Sequence, residues 1–86
     1  MTCNPNVRAL LEPILKSGEF SIEHAREIRK CDWRTMVTDL QGETKREAES
    51  LFYFAEGFVE EVDEGFVTDN TDPELYERTL RLAAKL

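Results

Sequence analysis

Apolar residues recur along this chain at helical spacing, in runs separated by glycines, prolines and N-capping residues. Val7, Leu10, Leu11, Ile14 and Leu15 follow the i, i+3, i+4, i+7, i+8 order of one buried helix face. Asn4 as N-cap and Pro5 at the first helical position predict the start of this helix, and Gly18 predicts its end, at about 5–17. Pro13 conflicts with the pattern. It removes a backbone hydrogen bond and crowds the preceding turn, so a kink or break is expected near Ala9–Glu12.

Ser21 is a good N-cap for a second helix at about 22–31, with Phe20 and Ala25 placed as a hydrophobic staple. Ile22, Ala25 and Ile28 form its apolar face, and Arg29 and Lys30 suit its C-terminal dipole. Asp32 offers another N-cap. Trp33, Met36, Val37 and Leu40 then share a face over about 33–41, closed by Gly42. One continuous helix over 22–41 is the competing reading. Arg26 and Arg29 would interrupt its stripe, so a break at Cys31–Asp32 is expected.

The strongest pattern follows Gly42. Thr44 and Glu47 match a capping box, and Ala48, Leu51, Phe52, Ala55, Phe58, Val59 and Val62 hold one face over about 45–64. Phe54 widens that face, Gly57 lies opposite, and Gly65 ends the helix. After a connection at 66–71, Asp72 and Pro73 open a last helix over about 73–86. Its apolar arc includes Leu75, Tyr76, Thr79, Leu80, Leu82, Ala83 and Leu86. Glu74–Arg78 and Glu77–Arg81 are favourable i, i+4 pairs. The prediction is an all-α fold: a small bundle of four to five helices forming a single domain over 1–86. The helices at 45–64 and 73–86 are expected to pack antiparallel and to hold most of the core.

Composition supports this and adds an asymmetry. With 86 residues, 41% hydrophobic and 34% charged, the chain is ordinary for a globular domain. So short a chain buries roughly 60% of its unfolded surface, which favours a partner or oligomer. The net charge is −7. Residues 47–86 carry eleven acidic and three basic side chains, a net of −8, so the whole deficit lies in the C-terminal half. That half is disfavoured for nucleic acid phosphate and for anionic membrane, and suits a basic protein surface. MTCNPNVR lacks the charged leader and apolar run of a signal peptide, and no 18-residue apolar stretch occurs. Cys3 and Cys31 make no disulfide framework. A reduced, cytoplasmic protein is the resulting expectation.

Few chemistries find the residues they need. His24 is the single histidine, and CxxC, HxxxH and ExxH spacings are missing, so no metal is expected. Asp63 to Glu74 has the length of a calcium loop but places Gly65, Val67 and Thr68 where ligands and the turn glycine belong. No nucleophile has a base and an orienting group in pattern, and no phosphate-binding or dinucleotide fingerprint occurs. The chain therefore reads as non-enzymatic, with no cofactor. Residues 20–41 resemble a helix-turn-helix in outline and carry Arg26, Arg29, Lys30 and Arg34. The turn lacks glycine, and the second helix offers a single basic residue, Arg34. DNA reading is a weaker alternative.

One polar feature remains. Glu49, Tyr53, Glu56, Glu60 and Asp63 fall at steps of 4, 3, 4 and 3, so they form a longitudinal stripe on the 45–64 helix, bordered by Glu64. A solvated face explains glutamates there. No lysine or arginine occurs between Glu47 and Asp63, however, and a tyrosine sits mid-stripe. Both favour an interaction surface. These six residues are the candidate partner-binding site. The expected function is a small acidic binding protein that regulates or inhibits a partner with a basic surface. A nucleic-acid-handling machine is the natural target class, and a phage or mobile-element accessory protein fits the size. A homo-oligomeric structural protein is the alternative.

Overall fold

The computed structural model describes residues 6–86. They form helices α1 (Val7–Ser17), α2 (Ile22–Lys30), α3 (Trp33–Met36), α4 (Gly42–Asp63) and α5 (Pro73–Lys85), with a 3-10 turn at Val37–Asp39. No strand is present among the described residues, and the all-α bundle is as predicted.

The N-terminal cap predicted at Asn4 and Pro5 lies outside the described residues. Within them Asn6 caps α1, its side chain accepting the Ala9 N–H at 2.9 Å. The break expected near Ala9–Glu12 does not occur, and α1 runs on through Pro13. Pro13 is exposed, so water can satisfy the carbonyl it deprives, while Val7, Leu10, Leu11 and Ile14 hold both halves on the core. Gly18 ends the helix as expected.

Ser21 caps α2, and Phe20 and Ala25, the staple pair, are both fully buried. The predicted break falls in place: α2 stops at Lys30, and Asp32 caps α3. The helix expected over 33–41 is shorter. After one α turn it tightens to 3-10, and Leu40 N–H bonds to the Val37 carbonyl at 3.0 Å. Local hydroxyls compete with the helix here. Thr38 Oγ1 donates to the Thr35 carbonyl at 2.6 Å, and Thr35 Oγ1 to Asp32 at 2.6 Å.

The long helix begins earlier than predicted. Gly42 adopts φ 59°, a left-handed turn that suits glycine, and α4 continues directly from it. The capping box of Thr44 and Glu47 does not form, because Thr44 is already inside the helix. Glu47 instead reaches Lys85 of α5, as does Glu43. At the far end Gly65 takes φ 85°. Its N–H bonds to the Val62 carbonyl at 3.1 Å, and the Phe66 N–H to the Glu61 carbonyl at 2.9 Å, a Schellman closure.

Helix α4 is the centre of the core. Ala48, Leu51, Phe52, Ala55, Phe58 and Val59 are buried, while Val62 is only partly so. Ion pairs and side-chain hydrogen bonds give the directions. Lys85 meets Glu43 and Glu47, and Arg78 meets Ser50, so α5 runs antiparallel to α4 as expected. Arg26 meets Asp63, and Trp33 meets Glu56, so α2 and the turn after it descend the other flank. The larger partner of α4 is α2, not α5. Although five of its nine residues are charged, α2 buries Ala25 and Ile28 completely against the core.

The connection after α4 is pinned to the start of α2. Ile22 N–H bonds to the Asn70 carbonyl at 2.7 Å, and Asp72 N–H to the Phe20 carbonyl at 2.9 Å. Asp72 then caps α5 with Pro73 next, as predicted. The Glu74–Arg78 pair closes at 3.6 Å. Inside α5, fully buried Thr79 satisfies its hydroxyl on the Leu75 carbonyl at 2.8 Å.

Candidate functional site

The six stripe residues lie on one rigid helix and its cap, but the bundle divides them. Glu56 faces α3. Its carboxylate accepts the Trp33 indole N–H at 3.0 Å and an Arg34 N–H at 3.4 Å. Trp33 is nearly buried, and Glu56 supplies the acceptor its N–H needs. Asp63 faces α2 and pairs with Arg26 at 2.7 Å. The hydrogen bond from Arg26 holds the Asp63 carboxyl below its ordinary range, with further help from the charges of Arg26 and Arg29. These two carboxylates stitch neighbouring elements to α4.

The other four, Glu49, Tyr53, Glu60 and Glu64, are exposed. Among the described residues no ion pair engages the three glutamates. Tyr53 is 64% exposed. Helical geometry brings three more residues into this outer face: Phe54, Gly57 and Glu61. Phe54 was expected to widen the buried face. It is instead 46% exposed and packs edge-on to Tyr53 with ring centroids 5.7 Å apart. Its other flank carries the Arg78 guanidinium, 5.0 Å from the ring centre. Arg78 is fixed in turn by Ser50 at 3.4 Å and Glu74 at 3.6 Å. Sequence periodicity places Phe54 at the border of the apolar arc, and packing pushes it out because α5 presents Arg78 there. Glu61 was legible, eight positions after Tyr53 and on the same face.

Other chemistry-bearing groups are accounted for by the fold. His24 Nδ1 accepts the Ser21 N–H at 3.1 Å and completes the cap of α2. No group of His, Cys, Asp and Glu able to hold a metal occurs among the described residues. A depression of about 510 Å³ lies between the start of α1, the 3-10 turn and the end of α5 and includes Arg8, Asp39 and Lys85. It is remote from Tyr53. The helix-turn-helix outline provides no groove-reading helix: α3 is one turn, Trp33 is buried, and the Arg34 guanidinium sits over its ring, 4.3 Å from the centre. No described helix is long and apolar enough to cross a membrane.

Comparison of the chain with protein-family models, with curated proteins and with solved structures finds no match.

Proposed function

We propose that this chain is a non-enzymatic binding protein that docks the outer face of α4 on a basic protein surface. The observation that carries the reading is Tyr53, 64% exposed at the centre of a face whose carboxylates Glu49, Glu60 and Glu64 have no cationic partner among the described residues. An exposed aromatic ringed by one sign of charge fits the anatomy of an interface centre. Proteins that handle nucleic acid present basic surfaces, and a carboxylate stripe competes for them as a phosphate backbone does. Docking there would inhibit or regulate such a partner in the cytoplasm, and a phage or mobile-element accessory protein is a natural setting.

Partner capture followed by competition tests this. Glu49→Lys with Glu60→Lys is the informative pair, because neither residue supports the fold; Glu56 is unsuitable, since it holds Trp33. The double variant is expected to lose roughly tenfold or more in affinity while unfolding at the same temperature. Unchanged binding would sink the reading.

Self-association is the second reading, favoured by Phe66, 79% exposed, and by Leu80 and Phe54. Light scattering separates the two, and a monomer at high concentration excludes the oligomer.

A further inference from the structure

Gly57 lies in the interior of α4, where glycine costs about 1 kcal/mol against alanine. Nothing in the fold requires it. Its φ is not among the positive values of this chain, and a Cβ built there would meet no neighbouring atom within 4 Å. Helical side chains lean toward the N-terminus, so any side chain at 57 would cover the turn that carries Tyr53 and Phe54. The glycine leaves a notch: Tyr53 and Phe54 stand one turn before it, Glu60 and Glu61 one turn after.

The protein itself shows what such a notch accepts. Arg34 lies over Trp33 at 4.3 Å with Glu56 beside it, and Arg78 lies over Phe54 at 5.0 Å with Glu74 beside it. Twice, then, a guanidinium rests on a ring beside a carboxylate: Arg34 donates to Glu56 at 3.4 Å, and Arg78 pairs with Glu74 at 3.6 Å while donating to Ser50. Tyr53 has the exposed ring and the neighbouring carboxylates, and no guanidinium of the described chain covers it. We propose that the Gly57 notch seats an arginine side chain of a basic polypeptide partner, stacked on Tyr53 and within reach of Glu60 and Glu61. This rests on the docking reading above. Arginine is specified over lysine because a planar guanidinium can stack and hydrogen-bond at once.

The test titrates the full chain with oligoarginine and oligolysine peptides of equal length, following affinity by calorimetry and the Tyr53 ring protons by NMR. The wild-type chain is expected to prefer oligoarginine roughly two- to fivefold. Gly57→Gln covers the ring with a neutral, helix-favouring side chain. It is expected to abolish that preference, retain the binding common to both peptides, and raise the melting temperature. Tyr53→Leu is expected to lose the preference and Tyr53→Phe to keep it. A preference that survives Gly57→Gln, or Tyr53 signals that do not move, overturns the notch. Equal binding of both peptides, lost in Glu49→Lys with Glu60→Lys, overturns the notch and leaves the acidic docking face standing. Binding of neither peptide overturns both. A dimer that dissociates on Gly57→Gln assigns the notch to a second copy of this chain and likewise overturns the arginine.

Discussion

On the flank of α4 that faces α2 and α3, Glu56 and Asp63 hold Trp33, Arg34 and Arg26. On the outward flank, the carboxylates of Glu49, Glu60 and Glu61 pair with no cation among the described residues, and Tyr53 and Phe54 stand out among them. The residue types match and the backbone is one helix. Glu56 and Glu60 are four residues apart, about 40° around the helix, and that small turn separates a structural acceptor from an outward charge. The lesson is that an acidic stripe read from spacing is a mixture, and only packing sorts it.

The sharpest way to break this comparison uses adjacent aromatics. Phe52 is fully buried against Trp33, ring centroids 5.6 Å apart, whereas Tyr53 is exposed. Phe52→Ala is expected to lose about 3–5 kcal/mol in denaturant unfolding. Tyr53→Ala is expected to change stability by no more than about 0.5 kcal/mol. Comparable losses at both positions would make the outer face part of the core and remove its availability to a partner.

The next effect compares two glutamates. Glu56→Ala strands the indole N–H of Trp33, at an expected cost of about 1–3 kcal/mol, while Glu56→Gln keeps an acceptor and recovers most of it. Glu60→Ala is expected to be nearly silent, within about 0.5 kcal/mol. Trp33 is the single tryptophan, so its fluorescence reports the environment directly. Equal effects of Glu56→Ala and Glu60→Ala would erase the distinction between the flanks.

Much of the fold was legible because the signals were local. Caps at Ser21, Asp32 and Asp72, stops at Gly18 and Gly65, and the apolar face from Ala48 to Val59 all act within a turn or two of chain. What was missed depended on distant residues. Glu47, freed from a capping role by the earlier start of α4, pairs with Lys85, 38 positions on. Phe54 is displaced outward where Arg78 arrives from α5. Glu56 and Asp63 looked like stripe members because the sequence does not say which flank α2 covers. The site was therefore legible as a face but not as a division between used and unused carboxylates, and spacing placed Gly57 opposite the apolar face without showing the open space around it.

Gly57→Ala probes that space with a smaller effect. A methyl group meets nothing within 4 Å, so the expected outcome is a gain of about 1 kcal/mol from helix propensity, seen as a higher urea midpoint with an unchanged slope. A loss of stability would show that the fold itself needs glycine there, and the notch would no longer imply a ligand.

The smallest effect is acid dependence, and it falls on the tied flank and the α4–α5 junction. Asp63 and Glu43 are both held below their ordinary values of 3.8 and 4.5, first by hydrogen bonds from Arg26 and Lys85 respectively. A carboxyl depressed in the folded state contributes stability that is present above its unfolded value and is lost as pH falls through the folded one. Stability should therefore hold from neutral pH down to about these values and decline below them. Both groups are exposed, so solvent and salt screen the contribution, and the decline should shrink at high ionic strength. Asp63→Asn and Glu43→Gln should each flatten the acid limb of the urea midpoint against pH. Glu60→Gln, whose carboxylate pairs with no cation among the described residues, serves as the matched control. An equal flattening by Glu60→Gln would mean that the outward carboxylates are as engaged in the fold as the inward ones, and the contrast between the flanks would collapse.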